Sequence, residues 1–184
     1  IRSRALDYEE SVGHAVYGGL SEFVMPDAAA LEAGGLYKNT ANTNIVRHAG
    51  RYLALMEAAH PTEIAGDLST IGEYTFDGAL AGAMTAHPRV DETNGEMHFF
   101  GYDRLAPSVP YHVVAAQGHL VPSQPIEVGR PTMLHDFAMW RDDAVHFFAG
   151  PQRSMNLIHC GYVDDFLGIQ IERRDHVAKD YLVA

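Results

Sequence analysis

Asn42-Thr43-Asn44-Ile45-Val46-Arg47-His48-Ala49-Gly50-Arg51-Tyr52-Leu53-Ala54-Leu55-Met56 decides the fold class of this chain. Two short runs suited to extended backbone flank a tight His-Ala-Gly turn, the pattern of a β-hairpin. The same pattern recurs downstream. Asn94-Gly95 is a strong turn signal, and Glu96-Met97-His98-Phe99-Phe100 follows it. Tyr111-His112-Val113-Val114-Ala115 runs to a turn at Gln117-Gly118, and His119-Leu120-Val121 resumes. Pro125-Ile126-Glu127-Val128 and the segment around Phe137 come next. Asp142-Asp143 then turns the chain into Ala144-Val145-His146-Phe147-Phe148. Short strands joined by polar turns at even spacing predict an all-β antiparallel meander. A sandwich, a barrel and a propeller all fit that rhythm, and four-stranded repeats of this spacing suit propeller blades.

The ends read differently. Residues 1–35 carry the helical leanings. Asp27 precedes Ala28-Ala29-Ala30-Leu31-Glu32-Ala33, and Gly34-Gly35 follows, which predicts a short capped helix. Gly18-Gly19 reads as a loop. After Gly150 the turn rhythm is lost. Residues 156–160 and 164–171 are extended in character, without a linker or a second domain in view.

Composition bounds the function. The 184 residues are 47% hydrophobic and 20% charged, a globular balance with no low-complexity stretch. The net charge of -11 argues against nucleic acid or an anionic membrane surface as partner, since both reward surplus Lys and Arg. It leaves an apolar substrate open. Cys160 is the one cysteine, which excludes an internal disulfide and a Cys-based zinc site and fits a reducing cytoplasm. No unbroken apolar run approaches a membrane span, and the first residues lack a signal-peptide core.

Histidine is the informative excess: there are 11, and the imidazole is the commonest metal ligand. Two segments stand out. Residues 82–91 hold Ala86-His87-Pro88, and residues 130–138 hold Leu134-His135-Asp136-Phe137. Each sets a His among small or apolar residues where a strand meets a turn, and Pro88 restricts the backbone beside His87. A metal-bound His usually donates its other N–H to a carboxylate or carbonyl. Glu57, ending the apolar run from Leu53 to Met56, is the best carboxylate, because an acid at the end of a buried strand needs a partner. From these residues alone, a buried, hydrogen-bonded His in each case remains the simpler reading. His98, His112, His119 and His146 fall in strand-like segments as surface or packing residues. His48 reads as a turn residue and His60, beside Pro61, as a loop residue. Trp140 and the Phe pairs read as packing, and Arg130 takes no catalytic role.

Five segments in order resemble the signature segments of the carotenoid cleavage oxygenases. They are residues 39–44, residues 53–57, residues 82–91 with Ala-His-Pro, residues 98–102 and residues 133–137. The resemblance covers about residues 15–148. It implies part, about two to three blades, of a seven-bladed β-propeller with Fe(II) on its axis. In that family four His bind the iron and Glu side chains orient three of them. By matching position, His87 and His135 resemble the first two iron ligands, and Glu57 resembles the acid behind them. The implied reaction is cleavage of a conjugated carbon–carbon double bond of a carotenoid or apocarotenoid by O2, giving two carbonyl products.

The resemblance divides the chain into a partial propeller over residues 1–150 and an unmatched tail over residues 151–184. The remaining ligands would lie downstream, and His159 and His176 sit in no recognisable motif. Two imidazoles alone hold Fe(II) poorly and open blades expose their edges, so this length by itself is expected to be inactive or weakly folded. Two further readings follow. In a lignostilbene-type dioxygenase, a phenol-binding Lys precedes the acid; Met56 stands there and favours a polyene over a stilbene. The other is a non-catalytic remnant of the propeller. A peripheral membrane contact belongs, if anywhere, to the full-length parent.

Overall fold

The computed structural model describes residues 1–19, 23–101, 107–127, 134–139, 145–149, 169–174 and 177–182. Two short helices precede a succession of antiparallel strands. Helix α1 (Arg4–Val12) starts where the Ser3 side chain accepts the Leu6 N–H and stops at Gly13, whose φ of 78° suits a residue without a Cβ. Helix α2 (Ala28–Gly34) begins at Asp27, which accepts the Ala30 N–H, and ends at Gly35, as its start and stop residues predict. A Cβ on Gly34 would lie 2.7 Å from Ala5 Cα and 2.2 Å from the Tyr17 hydroxyl, so only glycine lets the two helices approach this closely. Buried Glu9 completes the joint, accepting from the Val16 and Tyr17 N–H groups and pairing with Lys38. Burial works against its charge, but Lys38 and the two N–H groups prevail and hold its carboxyl at about 2.

Strands β1 (Asn44–His48), β2 (Arg51–Leu55), β3 (Thr62–Ile64) and β4 (Thr70–Glu73) form a first sheet in sequence order. The opening hairpin pairs Asn44 with Leu55 and His48 with Arg51. Its turn places Ala49 and Gly50 at φ of 47° and 81°, the two positive values that a two-residue hairpin turn requires. Strands β5 (Arg89–Val90), β6 (Met97–Phe100), β7 (Ser108–Val114) and β8 (Gln124–Glu127) form a second four-stranded meander. Strands β9 (Leu134–Met139) and β10 (Val145–Ala149) pair with each other, as do β11 (Ile169–Arg174) and β12 (Val177–Leu182).

One expected strand is shorter than its sequence suggests. Residues 119–121 fold back on β7 with two backbone hydrogen bonds, from Ala115 to His119 and from Val121 to Val113. Pro122, lacking an N–H, then interrupts the ladder, and full pairing resumes at Gln124 opposite Tyr111. The Asp142-Asp143 turn, residues 156–160, Trp140 and Cys160 lie outside the described residues.

The core sits between the two sheets. Leu53 and Leu55 of β2 meet Met97 and Phe99 of β6, Val114 of β7, and Phe76, Leu80, Met84 and Ala86 from the connecting segment. Strand β6 is buried along its whole length. Met97 and Phe99 face the first sheet, while Phe100 meets the Phe137 ring of β9 edge-on at 5.8 Å. This double burial explains why β6 shows no apolar–polar alternation. His48 is not a turn residue. It closes β1, buried, with Nε2 2.9 Å from the Gly95 carbonyl, and so fastens the first sheet to the turn before β6.

Candidate metal centre

Glu57, His87 and His135 come from three separate elements and meet. Strand β2 is buried on both faces from Leu53 to Leu55, and the chain turns two residues later, which delivers Glu57 at the edge of the core. The connecting segment then runs from the first sheet to the second, held at each step. Met84 N–H donates to the Ala59 carbonyl, Thr85 N–H to the Phe100 carbonyl, and Asn44 Nδ2 to the Ala86 carbonyl. His87 follows directly, just ahead of β5. His135 is the second residue of β9.

The His87 and His135 rings lie edge to face, with centroids 4.7 Å apart. Glu57 Oε1 is 3.2 Å from His87 Nε2 and 3.4 Å from His135 Nδ1. One donor atom from each residue falls within 4.8 Å of the other two. Glu57 and His87 are half-buried and His135 is exposed. Desolvation raises the Glu57 carboxyl above its usual range; the two imidazoles, the Ala86 N–H and the Thr85 hydroxyl oppose it without prevailing.

These residues suit a divalent cation. Glu57 Oε1 and His87 Nε2 are buried atoms without a hydrogen-bond partner, although they face each other. Leaving such groups unsatisfied is costly. Imidazole nitrogen suits first-row transition metals such as iron and zinc, and a carboxylate behind a ligand imidazole can accept the ring's other N–H.

The positions singled out in the sequence thus come together, the bland alternatives for most other histidines also find a place, and further partners appear. His98 and His112 are buried packing residues, bonded through Nδ1 to the Tyr111 hydroxyl and the Ser123 hydroxyl respectively. His119 is exposed, and His60 lies in a loop with Nδ1 3.1 Å from Glu73. His159, His176 and Arg130 lie outside the described residues. Sequence reasoning missed Thr85, Asn44, Arg89 and Asp136. Thr85 is fully buried; its hydroxyl lies 3.4 Å from Glu57 Oε2 and accepts the His87 N–H. Arg89 grips Asp136, the residue after His135, with Nη2 at 2.8 and 2.9 Å from its two carboxylate oxygens. The available signal was the placement of an Arg two residues after one candidate His and an Asp immediately after the other.

Among the described residues, no helix is long and apolar enough to cross a membrane.

Residues 1–148 match the family described as retinal pigment epithelial membrane protein. A carotenoid 9,10(9',10')-cleavage dioxygenase 1 of Phaseolus vulgaris is 42% identical over 110 residues, 58% of this chain and 20% of that protein. A carotenoid cleavage oxygenase of Mycobacterium tuberculosis is 39% identical over 107 residues, 57% of this chain and 21% of that protein. The chain therefore spans about a fifth of the length of these relatives. Among solved structures, the lignostilbene dioxygenase of Pseudomonas brassicacearum superposes with a TM-score of 0.68 at 28% identity, over 80% of this chain and 31% of that one. The Synechocystis apocarotenoid oxygenase gives a TM-score of 0.64 at 27% identity, over 80% of this chain and 33% of that one. With the family match running through four-fifths of its residues, this chain belongs to the retinal pigment epithelial membrane protein family.

Proposed function

We propose that this chain carries part of the iron site of a dioxygenase that cleaves a conjugated carbon–carbon double bond of a carotenoid or apocarotenoid. The observation that carries this reading is the meeting of His87, His135 and Glu57 on one point from three elements. The activity named for the Phaseolus and Mycobacterium relatives supports the substrate class. The two four-stranded meanders stacked through a common core correspond to two successive blades of a propeller, with β9 and β10 starting a third. Residues 1–150 form this propeller portion, and residues 151–184 are a tail that does not match the family.

His87 and His135 would hold Fe(II), each through one ring nitrogen. When bound, the iron supplies the redox chemistry by which both atoms of O2 end in two carbonyl products. Glu57 Oε1, 3.4 Å from His135 Nδ1, would accept that ring's N–H, fixing its tautomer and orientation and strengthening the imidazole as a donor. Thr85 steadies Glu57 and His87, since its one hydroxyl reaches the Glu57 carboxylate and accepts the His87 backbone N–H. The apolar core behind this group keeps water from its protein side. Met56, next to Glu57, is buried, with its sulfur 3.3 Å from the Thr40 nitrogen. It offers no charge to a phenol, which favours a polyene over a stilbene. The acidic balance leaves nucleic acid out of the partner set, and a reducing cytoplasm suits Cys160.

The test is metal analysis after anaerobic loading with ferrous iron, followed by turnover of an apocarotenal against a hydroxystilbene. His87→Ala should reduce bound iron to background while the circular dichroism spectrum is kept. Wild-type protein that takes up no iron under any loading condition removes the proposal. Preferential turnover of the hydroxystilbene moves it to the lignostilbene branch.

A further inference from the structure

Strand β9 brings His135 to the site, yet its backbone pairs with β10 rather than with either four-stranded sheet. Side chains must therefore set where β9 lies against His87. Phe137 and Asp136 supply contacts that do so. The Phe100 and Phe137 rings pack edge to face, which fixes a separation but tolerates sliding. Arg89 supplies direction. Its Nε donates to the Phe137 carbonyl at 3.1 Å, and its Nη2 reaches both Asp136 oxygens. The Asp136 carboxylate is itself locked, because Oδ1 accepts the Phe137 N–H at 2.7 Å. One planar guanidinium thus grips a carboxylate and a main-chain carbonyl of the strand that carries His135. It projects from a position two residues after His87.

We infer that Arg89 is a positioning residue, whose clasp on Asp136 and the Phe137 carbonyl sets the His135 imidazole against His87. The inference rests on the metal-site reading above and adds the device that holds its two halves in register. Both partners are partly exposed, with side-chain accessibilities of 46% and 32%. Solvent screens such a pair, so it adds little to global stability. Its directional bonds act on geometry instead. A lysine keeps the charge but cannot reach a carboxylate and a carbonyl with one rigid fork.

The experiment uses wild-type protein, Arg89→Met, Arg89→Lys and Asp136→Asn. Cobalt(II) is titrated as the probe ion, read by its visible absorption. Hydrogen exchange of the peptide spanning residues 134–139 is followed in metal-free protein. Arg89→Met should bind cobalt about tenfold more weakly, with an altered absorption envelope. Exchange over residues 134–139 should speed up while residues 44–64 stay protected and the melting midpoint holds. Arg89→Lys should recover part of the affinity. If Arg89→Met proves insoluble, Asp136→Asn decides by the same two readouts. Wild-type affinity together with unchanged exchange in the folded variant overturns the inference, as does global unfolding of both Arg89→Met and Asp136→Asn, which would make the pair a general structural element. Wild-type protein that binds no cobalt, while Arg89→Met still loosens residues 134–139, retains the clasp and removes the metal reading instead.

Discussion

The segment that carries His87 is gripped from both four-stranded sheets, through Met84 to Ala59, Ala86 to Asn44 and Thr85 to Phe100. The strand that carries His135 meets the second sheet through an edge-on ring contact and a half-exposed guanidinium. The first half of the site is thus built into a core, and the second is fastened to it from outside. A core anchor and a surface clasp fail differently: damage to the first should appear as lost stability, damage to the second as lost geometry.

Phe99→Ala attacks the core anchor. The ring is fully buried, stacks on His112 at 4.7 Å and faces Phe76 at 6.0 Å. Its removal should cost about 4 kcal/mol by denaturant titration and take the His87 segment with it. A loss under ~1 kcal/mol would mean that this core does not carry the site.

Acid probes the same anchor without a mutation. Burial depresses His112 to about 4. Between that value and the ~6.5 of an unfolded chain, the unfolded state takes up a proton that the folded state refuses. The His112 contribution to stability should therefore fall as pH drops from about 6.5 to 4, by on the order of 3 kcal/mol, and level off below that window. His112→Gln should flatten this slope in melts taken across the range.

Asn44→Ala removes one grip on the His87 segment, the 2.9 Å bond to the Ala86 carbonyl. The expected loss is about 1 kcal/mol, measured by chemical denaturation. Arg89→Met should fall below ~0.5 kcal/mol in the same measurement despite its effect on the metal. Equal losses for these two variants would erase the distinction between anchor and clasp.

Legibility in the sequence follows the same division. The hairpin through Ala49-Gly50 and the strand after Asn94-Gly95 were readable because turn chemistry is local. The helix from Ala28 was readable from its cap residues. His87, His135 and Glu57 emerged from ordered motifs, but their convergence did not, because it depends on two sheets meeting through Leu53, Met97 and Phe99. The continuous burial of β6 hid its register, since a strand covered on both faces loses the alternation that marks one. His48 was misplaced for a related reason: its partner, the Gly95 carbonyl, is distant in sequence. Arg89 and Asp136 escaped notice because an ion pair between remote residues leaves no periodic trace.

Strand β6 turns Met97 and Phe99 one way and Phe100 the other, with none of its four residues left to solvent. A slab of that kind has no outside. It cannot be excised as a unit, since cutting away either neighbour would present a bare aromatic wall to water and invite clumping. Its integrity belongs to the stack, in which each layer serves as lining for the next.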